Sequence, residues 1–519
     1  MTTLSKIFHP SSFARAIDDV HYAAHSRLFR PNYFDLLIVL QNLEGPDDLL
    51  PAAYQWTVLR PFIIFLKSLD VDGFNILFNT NEDALTTVQK RQKNIIEEVA
   101  ETLLQLNHEF KTDKSAFKDL RAFQAVVSSI YIEVLNIRIN ALVAERSLPP
   151  LVKWGYKKGP YTYHKDQTHF VGIKVGIVSL PAHNRIGGLL AWSSLGHEVA
   201  GHNFLHAFDS DVPNDNLVSD IKSIIKENFP ESTMTNYWCA CAEEISCDIL
   251  GALSMGPSFG IGLIGYLRGI RSGKLASSGS FHSADEPGRS SLILDKIGGK
   301  QIFIDELSDA VKLENTEGVF GSCDSLNVTY QQFNSKRKHH LDILRPFVIS
   351  QVIRLFDSDM LDWAKVIESE ASKDFENKEV TLLQLDVTSD QKQIKSVAMP
   401  QDLVIVEAQK VAKVIAKSAI KRLDEQSLMD IFKWTEEDNR LVIQIMQVIN
   451  DPKSESLLKL KSREKTRKYY ARHIVAASVL QAVQKDANID MVFEKMKKFL
   501  SQVYDDVIPE YLSEYSSTS

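Results

Sequence analysis

The stretch Ser193–Phe208, "SSLGHEVAGHNFLHAF", decides how this chain is read, because it sets His197, Glu198 and His202 close together. Two histidines four residues apart share one face of an α-helix. With a glutamate directly after the first, that spacing makes a metal site with a base beside it. Here the interval is five. On a regular helix of 3.6 residues per turn, the extra residue carries the second histidine about 100° further round. His197 and His202 would then not meet at one ion.

Two arrangements repair the geometry. In one, the helix takes up the extra residue in a π-type turn, a distortion that clusters at functional sites. Gly201, just before His202, is the residue type that tolerates it at least cost. In the other, the helix stays regular and Glu198, His202 and His206 align at intervals of four, leaving His197 elsewhere.

Further along lies "CAEEISCDILG", Cys241–Gly251, with Glu243, Glu244 and Asp248. Glu244 and Asp248 stand one helical turn apart. A carboxylate there can ligate an ion while the aspartate accepts a bond from a ligand histidine and so fixes its tautomer.

H-E-x-x-x-H followed by E-x-x-x-D resembles the gluzincin metallopeptidases, in the variant with one extra residue that marks the dipeptidyl peptidase III family. "HEVAGH" meets that family's H-E-x-x-G-H, and "EEISCD" meets its E-E-x-x-x-E or -D. "EISCDILG" is also similar to the glutamate helix of thermolysin-like peptidases. The resemblance covers these two motifs. It implies Zn2+ held by His197, His202 and Glu244, with Glu198 as general base and Asp248 and Glu243 in the outer shell. It favours the distorted helix and makes His206 a bystander.

Hydrophobic periodicity places helices over about 10–150, where apolar residues recur at three- and four-residue intervals as in "VQKRQKNIIEEVAETLLQLNHEF". "GPYTYH" and "HFVGIKVGIVSLP" read as a hairpin or small sheet. One helix is expected from Gly188 to Phe208 and another around "NYWCACAEEISCDILGALSM", followed by a glycine-rich bend. Helices are expected again at 336–357, 401–423, 436–449, 463–485 and 488–505, with a β-like insert near 378–387. The expected fold is mainly α with a small β-sheet. In the resemblance it becomes a zincin-like core flanked by helical lobes: residues 1–150 N-terminal and helical, 151–330 catalytic, 331–519 C-terminal and helical.

A metallopeptidase needs a strand edge for substrate, and "VGIKVGIVSLPAHN" is the expected strand. It also needs donors for a developing oxyanion. Candidates are His282 and Tyr266 for catalysis, with Arg289 and Tyr237 as substrate contacts; His282 and Arg289 share the loop "FHSADEPGR". Trp192 reads as core.

Net charge is −8, which gives the chain no electrostatic reason to seek nucleic acid or an anionic membrane. The longest charge-free run, "ILGALSMGPSFGIGLIGYL", is interrupted by five glycines and Pro257, so a buried helix is expected rather than a membrane span. The basic runs at 336–340 and 459–473 read as solvated helix faces. The first residues lack the apolar core of a secretory signal. Of four cysteines, Cys239, Cys241 and Cys247 crowd together, which suits reduced, buried thiols. A cytoplasmic setting is expected. The expected activity is zinc-dependent hydrolysis of a peptide. The rivals are hydrolysis of a non-peptide small molecule and an inactive zinc-bearing binding protein.

Overall fold

The computed structural model describes residues 32–45, 49–80, 84–136, 148–155, 159–208, 215–230, 232, 234–277, 294–297, 300–303, 343–356, 360–374, 379–386, 393–451, 453–454, 471–485 and 487–518. Among them the chain is mainly helical with a small three-stranded sheet.

The first helices are α1 (Tyr33–Gln41), α2 (Arg60–Asn79), α3 (Thr87–Thr112) and α4 (Lys114–Asn136). Thr86 starts α3 with a reciprocal capping box to Gln89, which satisfies backbone donors that the first turn cannot. Next come β1 (Leu151–Gly155), β2 (Tyr161–Tyr163) and β3 (Ile177–Pro181), in the order β1-β3-β2. β1 runs parallel to β3 with Val152 opposite Val178, and β2 runs antiparallel with Thr162 opposite the same valine. Lys153 is buried on β1 and is held 2.6 Å from both Glu98 and Glu101 of α3, while Tyr161 of β2 donates to Glu98 at 2.9 Å. These bonds compensate the buried ammonium and fix the sheet against the helix.

The segment expected as one helix from Gly188 to Phe208 is three pieces. A 3-10 turn covers Leu189–Ser194, a π-helix covers Gly196–Asn203, and a second 3-10 turn covers His206–Phe208. Gly188 opens it with a left-handed φ of 66°, which glycine adopts without strain. Then follow α5 (Leu217–Asn228), α6 (Ala242–Met255) and α7 (Pro257–Ser277). The expected glycine-rich bend is only Gly256, at φ 61°, and α7 continues as helix beyond it. Its glycines are there for close packing: a Cβ on Gly260 would lie 2.6 Å from Ile367, and one on Gly265 2.3 Å from Leu190.

The later helices are α8 (Arg345–Arg354), α9 (Leu361–Ser372), α10 (Gln401–Lys417), α11 (Glu436–Asn450), α12 (Ala471–Ala482) and α13 (Ile489–Thr518). The hairpin of β6 (Glu379–Asp386) and β7 (Gln393–Pro400) answers the expected β-like insert, and a shorter hairpin joins β4 (Leu294–Ile297) to β5 (Lys300–Phe303).

The larger core runs from Leu120 to Val503 and draws on all three sequence regions. Trp192 is fully buried in it, between Phe123, Trp154 and Phe493. A second core lies between α1–α3 and the sheet. No described helix is long and apolar enough to cross a membrane. The end of the second basic run is not a solvated face. Arg472 and His473 are buried against Asp438, which His473 reaches at 2.9 Å.

Candidate metal centre

The π-helix brings His197 and His202 to the same side. Their ring centroids are 5.0 Å apart and nearly perpendicular. The wider turn accommodates the fifth residue, as the first of the two sequence repairs requires. Gly201 has a different reason from the expected one. Its φ is not positive, and a Cβ there would lie 2.6 Å from Cβ and 2.7 Å from Cα of Cys247. Gly196 meets Gly251 in the same way, at 3.2 Å from its Cα. Small residues thus let the π-helix lie directly on α6, which carries the carboxylates.

Glu244 reaches between the histidines. Its Oε2 is 3.3 Å from His197 Nε2, and its Oε1 is 3.9 Å from His202 Nε2. One turn on, Asp248 Oδ1 is 2.9 Å from His197 Nδ1. Asp248 in turn accepts two bonds from Arg345, at 2.7 Å from Nε and 2.8 Å from Nη2. Arg345 is buried at the start of α8 and its Nη2 is 3.2 Å from His197 Nδ1.

These contacts set the charges. Burial works against a charged His197, but the bonds to Asp248 and Glu244 outweigh it and raise its pKa to about 10. Burial likewise opposes ionised Glu244, yet the bond to His197 and the positive charges nearby hold it well below the carboxylate range. Asp248 is kept ionised against its burial by Arg345 and His197. Cys247 is pushed well up, first by burial and then by the carboxylates of Glu244, Glu243, Asp248 and Glu198.

Glu198 is buried, and its Oε2 accepts a bond from the Thr162 hydroxyl at 2.8 Å. Thr162 lies on β2, the edge of the sheet. The strand expected beside the site, β3, is instead central and paired on both sides, so it offers no edge.

Among the described donors, two sets lie mutually within 4.8 Å: His197, His202 and Cys247, and His202, His206 and Glu243. Tyr266 lies on α7, its hydroxyl against Gly159 just before β2. Tyr237 is buried in the main core edge-on to Trp238. His282 and Arg289 lie outside the described residues, as do Cys323, His339 and His340. Cys239, Cys241 and Cys247 are buried and form no disulfide among the described residues. Sequence reasoning did not single out Thr162 and Arg345. The available signal for Arg345 was an arginine set in the apolar run "DILRPFVIS".

Comparison of the chain with protein-family models, with curated proteins and with solved structures finds no match.

Proposed function

We propose that this chain is a zinc-dependent hydrolase of the gluzincin type, acting on peptide bonds. The observation that carries the reading is the convergence of His197 Nε2, His202 Nε2 and the Glu244 carboxylate, with Asp248 behind the first histidine. Two imidazoles and a carboxylate are the donor set of a catalytic zinc, and an aspartate on the far nitrogen is the usual outer-shell partner.

Cys247 competes with Glu244 for the third position by distance. Chemistry favours Glu244. To bind an ion, the Cys247 thiol must lose a proton that burial and the surrounding carboxylates favour, whereas the Glu244 carboxylate is held in its ionised form. An ion bound by His197 and Glu244 would displace a proton from the imidazole.

Zinc held there would supply Lewis acidity, polarising a carbonyl and acidifying a water. Glu198 would act as general base, accepting a proton from the attacking water and returning it to the leaving amine. Thr162 fixes its carboxylate for the task. Arg345 keeps Asp248 ionised, and so keeps the His197 ring turned with Nε2 forward.

The preference for peptides rests on β2. It is a sheet edge, and Thr162 at its centre touches Glu198. An extended chain added to that edge would run past the general base. The test compares wild type with Glu198→Gln on a peptide library, both at full zinc occupancy. Loss of cleavage by about a hundredfold or more is expected, the usual scale for removing a general base. Equal cleavage by both proteins would sink the reading.

A further inference from the structure

Glu243 lies on the other side of the His202 ring from Glu244. Its Oε1 lies 3.2 Å from His202 Nδ1 and 3.3 Å from His206 Nε2. One donor atom from each of the three residues lies within 4.8 Å of the other two. Donors about 2.1 Å from an ion at tetrahedral angles stand about 3.4 Å apart, close to the spacing on both sides of Glu243.

The surroundings hold the set in place. The His206 ring stacks on His164 at 3.9 Å and 7°. It is also nearly parallel to His202, with centroids 6.4 Å apart. His202, His206 and Glu243 keep 15%, 16% and 25% of their side-chain surface exposed, against 7% and 6% for His197 and Glu244. An ion from solvent would reach them first.

We propose that His206 Nε2, Glu243 and His202 Nδ1 form a second position for a divalent cation, beside that of His197, His202 and Glu244. The inference rests on the proposed function only through His202, which both sets share. A neutral imidazole has one lone pair, and its other nitrogen carries the proton. His202 therefore serves one side at a time, and the two positions compete for it. The outer one binds more weakly, since it loses His202 whenever the inner one is filled. Two imidazoles and a carboxylate select zinc, cobalt, nickel or copper over magnesium or calcium.

The test is calorimetric titration of the metal-stripped full chain with Zn2+ alone, repeated with Co2+ and read by visible absorption. Wild type, His206→Ala, Glu243→Gln and His197→Ala are compared. Wild type should take up two ions with distinct affinities. His206→Ala and Glu243→Gln should each weaken the weaker event tenfold or more and leave the tighter one. His197→Ala should do the reverse. The proposal fails if His206→Ala and Glu243→Gln both titrate as wild type, or if wild type binds a single ion that survives both changes. If His197→Ala titrates as wild type while His206→Ala loses uptake, the outer position stands and the inner one falls. His206→Gln, which keeps the bulk but lacks the imidazole donor, is read in place of the alanine variant should that one melt early.

Discussion

Thr162 reaches Glu198 from a different element, through one hydroxyl bond of 2.8 Å. Among the described residues no other donor reaches that carboxylate, so it can rotate out of line when the hydroxyl is lost, and proton transfer depends on its position. Thr162→Val keeps the side-chain shape and removes the hydroxyl. It should lower kcat by about tenfold, the lower end for outer-shell changes, with KM little altered. Thr162→Ser should restore most of the loss. If the valine variant has full kcat, Thr162 does not position the base. At this scale much of the candidate site was legible: His197, Glu198, His202, Glu244 and Asp248 all lie in two short motifs. Thr162 was not, because a threonine in "YTYH" looks like any strand residue until the fold brings it to Glu198. The reason for Gly201 was also hidden, since the contact that excludes a Cβ comes from Cys247 on another helix.

Among the elements, those with strong periodicity and clear end signals were readable. Residues 436–449 gave a helix at Glu436–Asn450, started by Thr435 and Asp438 in a capping box. The expected single helix at 188–208 was misread because periodicity assumes 3.6 residues per turn, and neither a π-helix nor a 3-10 turn keeps that period. The edge strand was misassigned because alternation marks a strand without saying which neighbours it pairs with. The joint between α6 and α8 was invisible as well, since it depends on Asp248 and Arg345 meeting across the fold. Both groups are buried there, so removing one partner strands the other's charge. Arg345→Met should therefore cost about 3–5 kcal/mol, read from denaturant midpoints. In the Asp248→Asn background the same change should cost much less, because no carboxylate remains to be stranded. Equal costs in the two backgrounds would show that Arg345 contributes packing alone.

Across the whole molecule, the three sequence regions meet in one core, and buried ionised groups link them to pH. Asp438 is held well below its ordinary range, against its burial, by His473 and Arg472. A carboxylate whose folded pKa is depressed contributes stability above its unfolded value of 3.8, and that contribution is lost as pH falls below it. Asp248 acts in the same direction. Glu109 acts the other way. It is buried on α3, and burial raises its pKa from 4.5 to about 7, with Arg185 opposing and Asp113 and Asp119 adding to the rise. Its Oε2 has no hydrogen-bond partner among the described residues. Between these two pH values the folded chain binds the Glu109 proton and the unfolded chain does not, so stability falls as pH rises from 4.5 to about 7. Above that the penalty is constant, with an upper limit of about 3 kcal/mol from the size of the shift. Glu109→Gln replaces the neutral acid by a neutral amide of the same size. Denaturant midpoints of wild type should decline across this window, while those of the variant stay level and exceed wild type at pH 8. Parallel profiles for the two proteins would mean that Glu109 is not the group whose ionisation the fold resists.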